Sequence, residues 1–177
     1  MRFSFTRIRD GQRGFSILEM MIATVILLVG LVVIAQLVPA SILLNYRNRT
    51  DSSALVFAQR ELDQFLGQPL SAATFVDALG KICNLGDPAA PNTIVGSPVV
   101  VINNQALIDF TAAPVANYSF TYQDPTDPSG TMYDLRWAVI ITGNGTSVCA
   151  KRFILGIRQQ GGSGYFQPVT LDTMVEK

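Results

Sequence analysis

Residues 14–38 read GFSILEMMIATVILLVGLVVIAQLV, and this stretch decides the fold. Arg-rich polar sequence stops at Arg13-Gly14, and an apolar run begins at once. Residues 15–38 number about 24, and only Ser16, Glu19, Thr24 and Gln36 interrupt them with polar groups. About 20 residues of helix span a bilayer core of roughly 30 Å. A core helix of a water-soluble domain would show a polar face every three or four residues. Between Met20 and Ala35 only Thr24 is polar. The run is therefore competent to cross a membrane.

Glu19 is the anomaly inside it. An ionisable group in a membrane helix costs about 2.5–3.5 kcal/mol on insertion scales and asks for a named partner. A cut between Gly14 and Phe15 would create an α-amine one helical turn from that carboxylate, positively charged at neutral pH. Glu19 of one subunit would then neutralise the Phe15 amine of a neighbour. The plainer alternative is a carboxylate lying shallow, near the headgroups, with its side chain snorkelling to water.

The order Gly14, Phe15, Ser16, Ile17, Leu18, Glu19, placed between a basic leader and a long apolar helix, resembles the N-terminus of type IV pilins and of the pseudopilins of type II secretion. The match is specific over about 25 residues and extends as a plausible helix to Leu66. The resemblance implies peptidase cleavage after Gly14, N-methylation of Phe15 and a role for Glu19 in subunit assembly. It also implies the partners: other pilin subunits, the prepilin peptidase, an inner-membrane platform and an assembly ATPase, with the lipid bilayer as host before assembly. A late pattern, Arg136-Trp137 through Lys151-Arg152 to Arg158, loosely resembles the PilV-like minor pilins.

The expected organisation is a leader at 1–14, a transmembrane and assembly half of a helix at 15–38, an amphipathic half at 39–66 and a globular head at 67–177. At 177 residues and 49% hydrophobic, the chain has room for an anchor and one small domain. The leader holds Arg2, Arg7, Arg9 and Arg13 against Asp10, a balance of +3 in a chain whose total is zero. Basic residues before a first membrane helix keep that end cytoplasmic, which puts the head outside the inner membrane. No basic patch points to nucleic acid. Two rival fates exist for the N-terminus. One is a secretory cut after Val38-Pro39-Ala40, giving a soluble start at Ser41. The other is an uncleaved anchor.

Gly30 and Pro39 are the weak points of the helix, glycine through its propensity and proline through its missing donor. They resemble the pair that brackets a loosened stretch in assembled pilins; an ordinary kink at Pro39 accounts for them equally. Leu55, Ala58, Leu62, Phe65 and Leu66 then repeat at helical spacing, with Arg47, Arg49, Asp51, Arg60, Glu61 and Asp63 on the other faces. Gly67-Gln68-Pro69 ends the helix. An unbroken helix from Ser16 to Leu66 would be about 75 Å long.

The head is loop-rich at first, with a short helical turn expected over residues 74–79. Residues 99–102 and 106–110 read as strands around an Asn103-Asn104 turn. Residues 118–123, 134–142 and 149–158 read as an antiparallel meander, and about four strands over one helix make an α+β, pilin-like head. Residues 161–164, Gly-Gly-Ser-Gly, read as a flexible linker. Cys83 and Cys149 would be bridged in an oxidising compartment. That bridge would close a loop of about 66 residues, worth up to roughly 4 kcal/mol; two separate thiols are the alternative.

An enzyme is not expected. The chain has no histidine, the commonest general base. It also lacks a nucleophile elbow, a phosphate loop and a C-x-x-C pair. No cofactor and no metal is implied, and a calcium site at Asp124, Asp127 and Asp134 departs from the EF-hand spacing. Two classes remain. The first is a structural subunit of a type IV pilus, most like a minor pilin, or a minor pseudopilin of a secretion or DNA-uptake system. The second is an anchored or secreted binding module that does not assemble.

Overall fold

A computed structural model describes residues 14–123, 130–160 and 168–176. The chain divides into two compact units, one ending at Tyr46 and one starting at Arg47. Helix α1 covers Ile17–Leu66.

In the first unit the helix starts on a side-chain cap. The Leu18 amide donates to Ser16 Oγ at 3.3 Å, and the Met20 amide to the Ser16 carbonyl at 3.1 Å. The helix remains regular through Gly30 and Pro39, so neither ends it in the isolated chain. Every Leu, Ile, Val and Met side chain from Ile17 to Val38 is at least 53% exposed. This is a helix long and apolar enough to cross a membrane. Its hydroxyls are satisfied internally. Thr24 Oγ1 donates to the Met20 and Met21 carbonyls at 3.0 and 2.8 Å, and Ser41 Oγ to the Val38 carbonyl at 2.9 Å. No polar hydrogen of these groups then needs water, which hydrocarbon would not supply.

In the second unit the last turns of α1 bury Ala54, Ala58, Leu62 and Phe65. Two sequence expectations fail here. Leu55 is 41% exposed, whereas Glu61 is only 1% exposed. The buried stripe runs 54, 58, 61, 65, and at 3.6 residues per turn this rotation turns Leu55 away and carries Glu61 inward. The helix ends at Leu66 as expected, with the Gly67 amide closing on the Asp63 carbonyl at 3.0 Å.

Among the described residues nine strands follow: β1 (Thr74–Val76), β2 (Ile82–Asn84), β3 (Thr93–Gly96), β4 (Val99–Ile102), β5 (Gln105–Ile108), β6 (Ser119–Gln123), β7 (Met132–Asn144), β8 (Ser147–Gln160) and β9 (Val169–Glu176). All pairings among them are antiparallel. The helix and these sheets make an α+β protein, and β6-β7-β8 is the expected meander. The hairpin of β4 and β5 turns at Asn103 and Asn104, both with positive φ near 50° and 62°. Asparagine tolerates that conformation, and the mirror-type hairpin turn requires it.

The differences lie at the margins. Residues 74–79 contain β1 rather than a helical turn, because Phe75 pairs with Cys83 and sets its ring edge-on to Phe65 at 5.7 Å. The main sheet has five strands, not four: β9 adds to β8, and β3 shares one edge of β7 with β6. Thr93 to Gly96 lie beside Ile141 to Ala138, and Ser119 to Gln123 beside Arg136 to Met132. Trp137 falls at the junction, its amide donating to the Tyr118 carbonyl at 3.0 Å and its carbonyl accepting from Ser97 at 2.9 Å. The 161–164 linker lies outside the described residues.

Strand β7 is buried on both faces. Tyr133, Leu135, Trp137, Val139 and Ile141 join Ala54, Ala58, Leu62 and Phe65 in the larger core. On the opposite face Ala138 and Ile154 pack with Ile108 and Phe110. The near-continuous apolar run of residues 137–141 fits a strand covered twice. Gly156 makes the second contact close enough: a Cβ there would stand 2.8 Å from Ile108 Cβ and 3.0 Å from the Phe110 ring. Gly156→Ala is therefore expected to destabilise the second unit by about 1–3 kcal/mol. Urea unfolding followed by the fluorescence of Trp137 measures this.

Candidate functional site

Two places carry more chemistry than packing requires. The first is the start of α1. Gly14, Phe15 and Ser16 precede the helix, so the Gly14–Phe15 peptide bond lies in non-helical backbone. A peptidase needs such backbone, because a helical bond is already tied to its own turn. Phe15 is exposed. Glu19 sits in the first turn, where the helix dipole favours a negative charge. Ser16 and Glu19 stand in the relation of a capping box, S-x-x-E. Among the described residues no cation forms an ion pair with Glu19. The basic leader, residues 1–13, lies outside the described residues.

The second place is a buried cluster in the head: Glu61 from α1, Asp77 from the turn after β1 and Cys83 from the middle of β2. One donor atom from each lies within 4.8 Å of the others. All three residues are at most 5% exposed. Each position has a local cause. Asp77 closes the β1–β2 turn, its amide donating to the Lys81 carbonyl at 2.9 Å, while its Oδ1 accepts from the Leu79 and Lys81 amides. Gln64 holds Glu61 in place. Its Nε2 donates to Glu61 Oε2 at 3.1 Å, and its Oε1 accepts from the Ala78 amide at 2.8 Å. Cys83 Sγ lies 3.7 Å from Glu61 Oε1. Asp77 Oδ2 is buried without a partner.

Burial, then the charge of Asp77, pushes the Glu61 carboxyl up to about 7, against the bond from Cys83 and the charge of Arg60. Burial, then the charges of Glu61 and Asp77, pushes the Cys83 thiol up to about 12. Cys83 is thus held as a thiol and is no nucleophile at neutral pH.

The expected Cys83–Cys149 bridge is not formed: both are free thiols, Cys83 buried and Cys149 exposed. Cys149 is the extra residue of a bulge, since Thr142 pairs with Ala150 and Gly143 with Val148. Cys83 is engaged with Glu61 in the core instead. The Asp124, Asp127 and Asp134 trio is described only in part. Asp124 and Asp127 lie outside the described residues, and Asp134 is bound by Arg136 at 2.9 Å and Arg158 at 3.3 Å. Both guanidinium groups lie over the Phe110 ring, at 5.1 and 4.8 Å. That cluster is structural. So is buried Lys151, whose Nζ donates to the Ala72 and Gly86 carbonyls at 2.7 and 3.3 Å and ties two loops to β8.

Glu61 and Asp77 escape a reading by polarity, which assigns carboxylates to the solvent face. The usable signal is spacing: Ala54, Ala58, Glu61 and Phe65 are separated by four, three and four, one continuous stripe.

The raised Glu61 carboxyl has a pH consequence with a definite sign. Between about 4.5 and about 7 the folded chain binds a proton that the unfolded chain has released. The stabilisation is full below about 4.5 and is lost as pH rises through about 7. In metal-free buffer, Glu61→Gln should match the wild type at acid pH and exceed it at pH 8 by on the order of 2 kcal/mol. Denaturant melts at a series of pH values give this difference directly.

Comparison with known proteins places the first site. No curated protein and no solved structure matches the chain. One family model, described as the Prokaryotic N-terminal methylation motif, matches residues 9–35. That span includes Arg9 and Arg13, the Gly14–Phe15 bond, Glu19 and most of the exposed apolar helix. The chain carries at residues 9–35 the prokaryotic N-terminal methylation motif, the class III signal of type IV pilins.

Proposed function

We propose that this protein is a structural subunit, a minor pilin, of a type IV pilus or a related filament, assembled after prepilin peptidase cuts between Gly14 and Phe15. The observation that carries the reading is the methylation motif at residues 9–35, on a helix whose Leu, Ile, Val and Met side chains are exposed from Ile17 to Val38. Before assembly the helix lies in the inner membrane, with the leader cytoplasmic and the head outside. After assembly neighbouring helices replace lipid around it. The new Phe15 amine is methylated and stays cationic, since methylation does not remove an amine's charge. Glu19 of an adjoining subunit neutralises that amine. A lone charge inside a packed bundle costs several kcal/mol, so the pair sets the register of insertion.

The work of such a subunit is association, and its partners are other pilins, the peptidase and the inner-membrane platform. A minor pseudopilin of a secretion or uptake system would use the same contacts, and the same chemistry would serve it.

Intact mass and N-terminal sequencing from native membranes test the processing step. A start at Phe15 with one added methyl is expected. A start at Ser41 would make the protein a secreted domain, and an intact Met1 in cells with an active peptidase would make it a lone anchored module. Glu19→Ala should leave membrane insertion unchanged and abolish entry into sheared fibres. Fibre incorporation at the wild-type level would refute charge pairing.

A further inference from the structure

We propose that Glu61, Asp77 and Cys83 form a binding site for a zinc-type divalent cation inside the head. The three converge from different elements, and each brings an atom suited to a metal. The most telling is Asp77 Oδ2, buried with no hydrogen-bond partner, since a buried carboxylate oxygen left unpaired is costly. Among the described residues no ion pair reaches Glu61 or Asp77. The guanidinium of Arg60 lies instead over the rings of Phe57 and Tyr122, at 5.7 and 5.1 Å.

The donor set selects the ion. Calcium and magnesium take oxygen ligands in shells of six or more, and a thiolate suits neither. A thiolate with two carboxylates suits zinc, which takes sulfur at about 2.3 Å and oxygen at about 2.0–2.2 Å in a tetrahedron. Those lengths put sulfur and oxygen about 3.6 Å apart. Cys83 Sγ and Glu61 Oε1 stand at 3.7 Å. The widest donor separation in the trio is within 4.8 Å, so closure needs a side-chain shift of about 1 Å. Water would complete the fourth position. On binding, Cys83 loses its proton to solvent and coordinates as thiolate, and Glu61 and Asp77 coordinate as carboxylates.

A supporting shell is already present. Gln64 occupies Glu61 Oε2 and leaves Oε1 towards Cys83. The Leu79 and Lys81 amides occupy Asp77 Oδ1 and leave Oδ2 free. Such outer contacts orient ligands before the metal arrives. The cation would join α1 to the β1–β2 hairpin, two elements that already meet at Phe65 and Phe75 and through the Ala78 amide on Gln64 Oε1.

The test uses the full chain in detergent, stripped with chelator and given Co2+ as a spectroscopic stand-in for Zn2+, both added directly and present during refolding. The wild type and Cys149→Ser should show a thiolate-to-cobalt charge-transfer band and should retain stoichiometric zinc after dialysis. Cys83→Ser should lose the band while keeping its far-ultraviolet dichroism. Gln64→Ala, which leaves all three ligands in place, should weaken zinc binding by about tenfold or more. A folded wild type with no band and no retained zinc overturns the site. So does a band that survives Cys83→Ser and vanishes in Cys149→Ser, which would be capture by the exposed thiol. A band unmoved by both Glu61→Gln and Asp77→Asn also overturns it.

Discussion

Burial of Trp137 is the constraint on which the head depends. Its ring is fully buried and meets Phe65 at 5.1 Å and Tyr118 and Phe120 at 6.0 Å each. Its indole N–H must find an acceptor in that environment, and it donates to the Asn84 carbonyl at 2.9 Å. One residue thus fixes the depth of α1, the end of β2 and the seam between β3 and β6. The seam leaves no slack for a side chain at Gly96, whose φ of 107° suits only glycine and whose Cβ would meet the Trp137 carbonyl at 2.6 Å. The rest of β7 follows from the same position, with odd-numbered residues towards the helix and even-numbered ones towards β5.

The first unit is governed by the opposite condition. Among the described residues of its own unit the helix has nothing apolar to bury against, and its side chains remain open along the full apolar run. Lipid or neighbouring helices must complete it, because water would pay the cost of wetting every Leu, Ile and Val. The internal bonds of Thr24 and Ser41 satisfy those two hydroxyl donors in either setting. Apart from Gln36, the other polar groups of residues 15–38 stand at the start, where Ser16 caps the helix and Glu19 meets its dipole. The same residue types that begin a helix well therefore also fall inside the methylation motif.

Much of this was legible in one dimension. Hydropathy alone marks residues 15–38, because a membrane-competent helix needs no partner to be recognised. The Gly67-Gln68-Pro69 stop, the Asn103-Asn104 hairpin and the β6-β7-β8 meander rest on local rules of turn and period, and the structure has all of them. β1 and β3 are only three or four residues long, too short for a period to declare itself, and they exist because Phe75 and Val95 pack on the core. The two cysteines show how an inference from compartment fails without coordinates: a bulge leaves Cys149 exposed while the core holds Cys83.

By itself the sequence determined the membrane-competent helix, the methylation motif that includes Gly14, Phe15 and Glu19, and the α+β class of the head, since each depends on neighbours in the chain. Tertiary structure alone decided that Glu61 faces inward and that Asp77 and Cys83 meet it there. Those three lie on a helix, a turn and a strand, and their meeting follows from the rotation of α1 that the burial of Phe65 against Trp137 imposes. Local pattern cannot carry that rotation, because it is set by the shape of the surface on the other side of the core.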